Sequence, residues 1–454
     1  MPRALASLPS PPGWPLVGHA LGLEVPRMHE QLEAWDRAHG PAFVYRLGRA
    51  PTLCVSDPAL IDQVYRQRPH TFRRLGMVAE VIEELGIRGV FTAEGAAWPP
   101  QRKVALRALH PKHLDGFFPA LRETTLALRA RWHRTSGQPV DLRHDFMSFT
   151  VDVTTQLAFA RAVNTLADQR APLLDSIDPI FPALSRRIVA LLPTWRWVRS
   201  PADRRLEASV AEVRAFLDAV IEQTRAEARA GAARHFLDAM IDQTEAGPEV
   251  DADTLFGNAM TMLLAGEDTT ANTLAWACHL LMDQPEVWAR IRDAAPVEAD
   301  GVAATREATR APYVDQVIHE VMRLKSVGPM LFFEAVEDTQ LGDIHVPAGT
   351  AITLLTRQPG LDEARFPEPE RFDPDRWADP TLTARLQKTG VFTPFGSGPR
   401  LCPGRELALL EMRLVLPMLA HSFDLTRHGS AAEVHEVNGF TVSPNAVMAT
   451  LRAR

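Results

Sequence analysis

The longest apolar-rich run of the chain, Ala259 to Met282, is broken in its middle by Gly266-Glu267-Asp268-Thr269-Thr270. Charged residues at the centre of a membrane-spanning helix cost on the order of 2.5–3.5 kcal/mol each. The run therefore reads as a helix of a soluble protein. Gly266 in a helix interior costs about 1 kcal/mol against alanine, and a threonine hydroxyl can bond back to the preceding turn. The combination predicts a locally widened helix with a hydroxyl facing a cavity. Successive helical residues point about 100° apart, so Glu267 and Asp268 face different directions.

The 454 residues are 46% hydrophobic and 23% charged, a globular composition with length for about three domains or one large one. A formal net charge of −7 supplies no global attraction for phosphate, which argues against a nucleic-acid binder. Prolines break the segment 1–18, which fits neither a signal peptide nor a membrane anchor. Cys54, Cys278 and Cys402 lie far apart without CxxC spacing, so a disulfide framework and a Cys-rich zinc site are excluded and a cytoplasmic location is expected.

Met28 to His39 has helical spacing, and Ala42–Leu47 and Thr52–Val55 read as strands around a turn at Gly48–Pro51. No repeat, low-complexity tract or long linker divides the chain. The expected fold class is mainly α with a smaller β-rich lobe, as a single domain over 1–454. The β-rich parts, about 40–58 and 330–377, pack with helical parts at 60–325 and 403–422.

The segment Phe395-Gly396-Ser397-Gly398-Pro399-Arg400-Leu401-Cys402-Pro403-Gly404 is a glycine- and proline-rich loop followed at once by a helical pattern. This places Cys402 at a helix N-terminus with Pro403 as the first helical residue, where its missing N–H costs little. Free N–H groups then point at the sulfur and lower its pKa. The glycines allow close approach of a flat ligand. A thiolate beside a flat cofactor is what a haem iron needs from a proximal ligand.

At these residues the chain resembles the cytochrome P-450 superfamily of haem-thiolate monooxygenases. Phe395, Gly398, Arg400, Cys402 and Gly404 meet the family's F-x-x-G-x-R-x-C-x-G pattern. The resemblance implies a triangular helical prism around a buried haem b, with Cys402 as the metal ligand. Cys54 and Cys278 read as small core residues. The broken helix, Ala265-Gly266-Glu267-Asp268-Thr269-Thr270, fits the family's A-G-x-D-T-T, which assigns Asp268 and Thr269 to a proton relay. Glu320 and Arg323 fit the family's E-x-x-R pair, expected to be joined by Arg371 of Pro369-Glu370-Arg371-Phe372 as a structural lock.

Trp98 and Arg102 match a W-x-x-x-R pattern whose side chains donate to a haem propionate. Pro99 and Pro100 imply that the helix starts there, with Trp98 just before it. Many relatives carry a propionate-binding arginine where Phe333 stands. The expectation is fewer cations at that place, with Arg102 and Arg400 carrying the load.

The resemblance implies insertion of one oxygen atom from dioxygen into an apolar small molecule, by hydroxylation or epoxidation. Electrons would come from a separate ferredoxin or flavodoxin with its NAD(P)H-dependent reductase, docking on Arg102, Lys103, Arg107, Arg400 and Arg405. Two alternatives are a peroxide-driven haem-thiolate hydroxylase and a non-catalytic haem sensor or carrier. The implied substrate pocket draws on 77–91, 177–192 and the residues Ala265, Met330, Leu331, Phe332 and Phe440.

Overall fold

The computed structural model describes residues 2–167, 172–190, 192–229, 237, 240, 241 and 252–454, and Leu191 of the expected pocket region lies outside them. The fold is mainly helical with small β-sheets. The helix Met28–His39 leads into strands Ala42–Leu47 and Ala50–Val55, which pair antiparallel through Leu47 and Ala50. The turn is thus two residues, Gly48 and Arg49, shorter than the composition suggests, because Gly48 adopts a φ of +67°. Strand Ala50–Val55 then pairs in parallel with the distant Ala351–Leu355. Met330–Ala335 and Phe72–Arg74 complete a five-stranded sheet. Phe72–Arg74 is a strand inside the stretch expected to be helical, held there by its ladder to Phe333–Ala335.

Asp57 caps the helix Pro58–Arg66 by accepting from the N–H groups of Ala59 and Leu60, and Pro58 takes the first helical position. In the helical body, the central helix Ala252–Leu281 packs along the helix Leu142–Phe159. The expected widening at Gly266 does not occur; the central helix is regular throughout its described length. A Cβ on Gly266 would sit 2.5 Å from the Thr154 hydroxyl oxygen, so the glycine serves the close approach of two helices. Among the described residues, no helix is long and apolar enough to cross a membrane.

The helix Pro312–Leu324 packs against both the central helix and the helix Arg405–Ser422, and it carries the lock. Glu320 and Arg323 are buried in a bidentate pair, both bonds at 2.7 Å. Arg371 does not join them as expected. Its guanidinium is exposed and paired with Glu368, and only its carbonyl accepts from Arg323, at 3.3 Å. The Arg376 guanidinium stands 3.4 Å from Glu320 instead, and the Trp377 indole donates to Glu320 at 2.9 Å. The same proline–acid–arginine–aromatic pattern recurs at Pro374-Asp375-Arg376-Trp377, and its short 3-10 turn aims the side chains inward.

Candidate active site

The cysteine loop closes on itself through the Cys402 N–H donating to the Phe395 carbonyl at 2.9 Å. Gly398 has a φ of +67°, and a Cβ there would meet the Tyr65 carbonyl at 2.5 Å, so glycine alone lets the loop rest on the preceding helix. The following helix starts at Arg405 with Gly404 as its N-cap, so Cys402 and Pro403 precede the helix and Pro403 is not its first residue. The backbone N–H groups of Gly404 and Arg405 still bond to the Cys402 sulfur, and Arg102 lies close enough to favour its charge. Desolvation by the protein atoms crowded around the sulfur outweighs them and pushes the thiol above its ordinary value, contrary to the expected lowering, although the residue keeps an accessible surface. The protein frame alone does not ionise this sulfur; a coordinated cation does so outright. Cys54 and Cys278 are buried, whereas Cys402 is exposed.

Trp98 is the first residue of the helix Trp98–Ala108, not the residue before it, since Pro99 and Pro100 occupy first-turn positions whose N–H groups would be unused. Its ring lies 4.5 Å from the Arg400 guanidinium carbon. Arg102 donates to the Leu401 carbonyl, while its buried Nε has no partner. Arg400 donates to the Ala93 carbonyl at 2.8 Å and to the Glu94 carboxylate, and its Nε is likewise buried without a partner. Arg400 is therefore turned inward and is not part of an exposed docking face.

The neighbourhood of Phe333 is not poor in cations, as had been expected from the loss of an arginine there. The strand register sets Arg74 directly opposite Phe333, and the Arg68 guanidinium carbon lies 4.6 Å from the Phe333 ring. Arg74 lies 3.6 Å over Phe91. Burial and the neighbouring positive charges hold Arg74 down to about 9 and Arg68 to about 10. These positions, together with Glu94, carried no local sequence signal; a sheet register and a loop crossing assemble them.

On the central helix, Ala265 is exposed between the buried Leu264 and the half-buried Gly266, and Thr269 is partly exposed. The Thr269 hydroxyl donates to the Ala265 carbonyl at 3.1 Å. Asp268 is buried; it accepts from the Thr441 hydroxyl and from Asn272 at 2.7 Å, with Arg143 at 3.9 Å. Burial raises its carboxyl despite these partners. Glu267 is buried too, with Oε1 unpartnered, and burial and Asp268 push it well above the carboxylate range. Glu411, on the helix Arg405–Ser422, bonds to Thr270 and is pushed up to about 8 by burial.

The expected pocket residues divide by strand alternation. Met330 and Phe332 lie on the face that packs with Met28 and Leu32, and Phe332 also touches the main helical core. Leu331 points to the other face and packs with Phe333 in the small-lobe core, so it does not share a pocket with Phe332. Phe440 stacks on Phe181 at 5.3 Å and meets Phe91 edge-on at 5.7 Å. Its neighbour Thr441 is the residue bonded to Asp268, which ties this aromatic cluster to the acid.

A family model described as cytochrome P-450 matches residues 8–450. The chain belongs to the cytochrome P-450 family. It is 29% identical to the cyclooctat-9-en-7-ol 5-monooxygenase of Streptomyces melanosporofaciens, over 92% of this chain and 89% of that protein. It is 28% identical to cytochrome P-450 71A26 of Arabidopsis thaliana, over 92% of this chain and 86% of that protein. A bifunctional cytochrome P-450/NADPH–P-450 reductase of Fusarium oxysporum is 25% identical over 98% of this chain, which spans 42% of that longer protein. As a family member the chain is an oxidoreductase, a haem-binding monooxygenase. The residues fit that group: the one exposed cysteine sits in a glycine-rich loop, Ala265 is exposed on the central helix, and Arg102 and Arg400 each keep a buried Nε without a hydrogen-bond partner.

Proposed function

We propose that this P-450 inserts one atom of dioxygen into an apolar small molecule, in the cytoplasm, as one domain over its whole length. Cys402 is the sole protein ligand of the iron, and this reading rests on one observation. Of three cysteines only Cys402 is exposed, and its sulfur accepts two backbone N–H bonds. Haem bound through a thiolate supplies oxygen activation, since thiolate electron donation favours O–O cleavage. The N–H groups of Gly404 and Arg405 orient the sulfur and temper its basicity. Phe395 and Gly398 shape the loop, Gly404 caps the helix after it, and Arg102, Trp98 and Arg400 hold the propionate side.

Asp268, whose carboxyl is shifted by burial toward the protonated form, and the partly exposed Thr269 after it serve as the proton relay. Thr441 and Asn272 fix the Asp268 carboxyl. Ala265, Met330, Phe332 and Phe440 exclude water from the bound substrate. This buried acid favours the dioxygen reading over a peroxide-driven hydroxylase or a haem carrier, neither of which needs proton delivery there. Electrons arrive from a separate ferredoxin or flavodoxin with its NAD(P)H-dependent reductase. A cleft of 380 Å³ lined by Trp98, Lys103, Leu106, Arg107 and His110 offers exposed positive charge and an apolar floor for such a partner. Cys402→Ser should abolish the red-shifted Soret band of the reduced carbon monoxide complex, and Cys54→Ser should keep it. The opposite pattern would remove Cys402 from the iron.

A further inference from the structure

Arg68 lies outside every motif that the function uses, yet it is 5% exposed and only partly satisfied. Its Nε and Nη2 are both buried and without a hydrogen-bond partner. These two nitrogens form one edge of the guanidinium fork, the edge that grips a carboxylate with two parallel bonds. The same edge is used elsewhere in the chain, where Nε and Nη2 of Arg357 hold the two oxygens of Glu33 at 2.9 and 2.7 Å. Around Arg68 the only carboxylate among the described residues is that of Glu94, whose Oε1 stands 3.9 Å from Nη2, beyond hydrogen-bond range. Glu94 is already engaged: it accepts from Arg400 and from the Arg74 N–H at 3.3 Å.

The Phe333 ring under Arg68 explains the placement but not the vacancy in its bonding. An aromatic face attracts the cation without offering lone pairs to its N–H edge. Leaving two N–H groups of a charged side chain buried and unpaired is costly unless an acceptor comes from outside the chain. Arg68 and Arg400 are electrostatic neighbours, as are Arg400 and Arg102. The free edge of Arg68 therefore belongs to the same cationic wall as the unpartnered Nε atoms of Arg102 and Arg400.

Resting on the reading that haem binds at Cys402, we infer that Arg68 is a propionate anchor of this chain. It replaces from the loop after the helix Pro58–Arg66 the cation that Phe333 does not supply from the sheet. Phe333 is the platform that holds the Arg68 plane, so aromatic residue and arginine form one unit split between two elements.

The test is haem transfer from holoenzyme to excess apomyoglobin, read beside the propionate bending band in resonance Raman spectra. Arg68→Met should release haem about tenfold to a hundredfold faster, the factor that loss of a charge-assisted hydrogen bond produces, and should shift the bending band. Arg68→Lys should fall between the two. Phe333→Arg in the Arg68→Met background should restore retention and the band, because it returns the cation to the sheet. Should Arg68→Met purify without haem, the double variant still decides: haem recovered supports the anchor, and an equally empty double variant overturns it. Transfer rate and bending band both unchanged in Arg68→Met also overturn it. In that last case an intact red-shifted carbon monoxide band leaves the Cys402 reading standing, so the two failures are distinguishable.

Discussion

Two walls of the site handle charge in opposite ways. Around the cysteine loop, Arg68, Arg74 and Arg400 all feel one carboxylate, Glu94, and Arg102 bonds only to the Leu401 carbonyl among the described residues. Across the central helix, Glu267, Asp268 and Glu411 are all buried, with Arg143 as the cation acting on the first two. The cationic wall cannot lose its charge at neutral pH, because even lowered arginines remain protonated. It therefore calls for an anion that the chain does not provide. The acidic wall eases the same burial problem by shifting its carboxyls toward the protonated form, Glu411 to about 8. On the proposed function, one side receives a charged group and the other passes protons.

The sharpest way to break this contrast is to remove the proton store. Asp268→Asn and Thr269→Ala should each lower product formed per reductant consumed or slow turnover, by about a hundredfold in rate at most. Haem content should stay at the wild-type level, since neither side chain belongs to the cationic wall. Equal coupling and rate in both variants would take the relay out of the mechanism.

A smaller effect probes the acidic wall through stability. Glu411 is held up to about 8, so its contribution is fully present below the ordinary carboxyl value and is lost as pH rises through about 8. The holoenzyme melting temperature should fall from about pH 5 to pH 8. Glu411→Gln should flatten that fall, an effect on the order of 2 kcal/mol at the alkaline end. Parallel pH profiles for the two proteins would show Glu411 to be ionised throughout.

The smallest effect concerns the lock, whose helix packs against the two helices that carry the acidic wall. Arg371→Ala removes an exposed pair and should leave the unfolding free energy unchanged. Arg376→Met strips a partner from the buried Glu320 and should cost about 1–3 kcal/mol. A larger loss from Arg371→Ala in chemical denaturation would return that residue to the lock.

How much of this was legible in the sequence depended on distance along the chain. The cysteine loop is local: its glycines, its cysteine and the helix after it stand within a dozen residues, and only the helix start was misplaced. The Glu320–Arg323 pair is one helical turn and was equally visible. Its third member was misread because two similar proline-acid-arginine segments follow each other, and only the fold tells which arginine turns inward. Leu331 could have been separated from Phe332 by strand alternation alone. Arg68, Arg74 and Glu94 were not legible, because their meeting depends on the register between Phe72–Arg74 and Phe333–Ala335. The rise of the Cys402 thiol was missed for a related reason: N–H groups are visible in a motif, but desolvation of the sulfur by surrounding atoms is a property of the whole fold.

The parallel pairing of Thr52–Val55 with Ala351–Leu354 joins segments roughly three hundred residues apart. At about 5–20 residues per second, a ribosome needs on the order of 15–60 s to deliver the second partner after the first. Throughout that interval the hairpin Ala42–Val55 waits with an unsatisfied edge, able to recruit any other strand it meets. The delay is set by topology and not by the strength of any contact. Slower growth temperatures, or co-expressed chaperones that shield the early hairpin, should therefore raise the yield of folded enzyme more than any single stabilising substitution in the finished sheet.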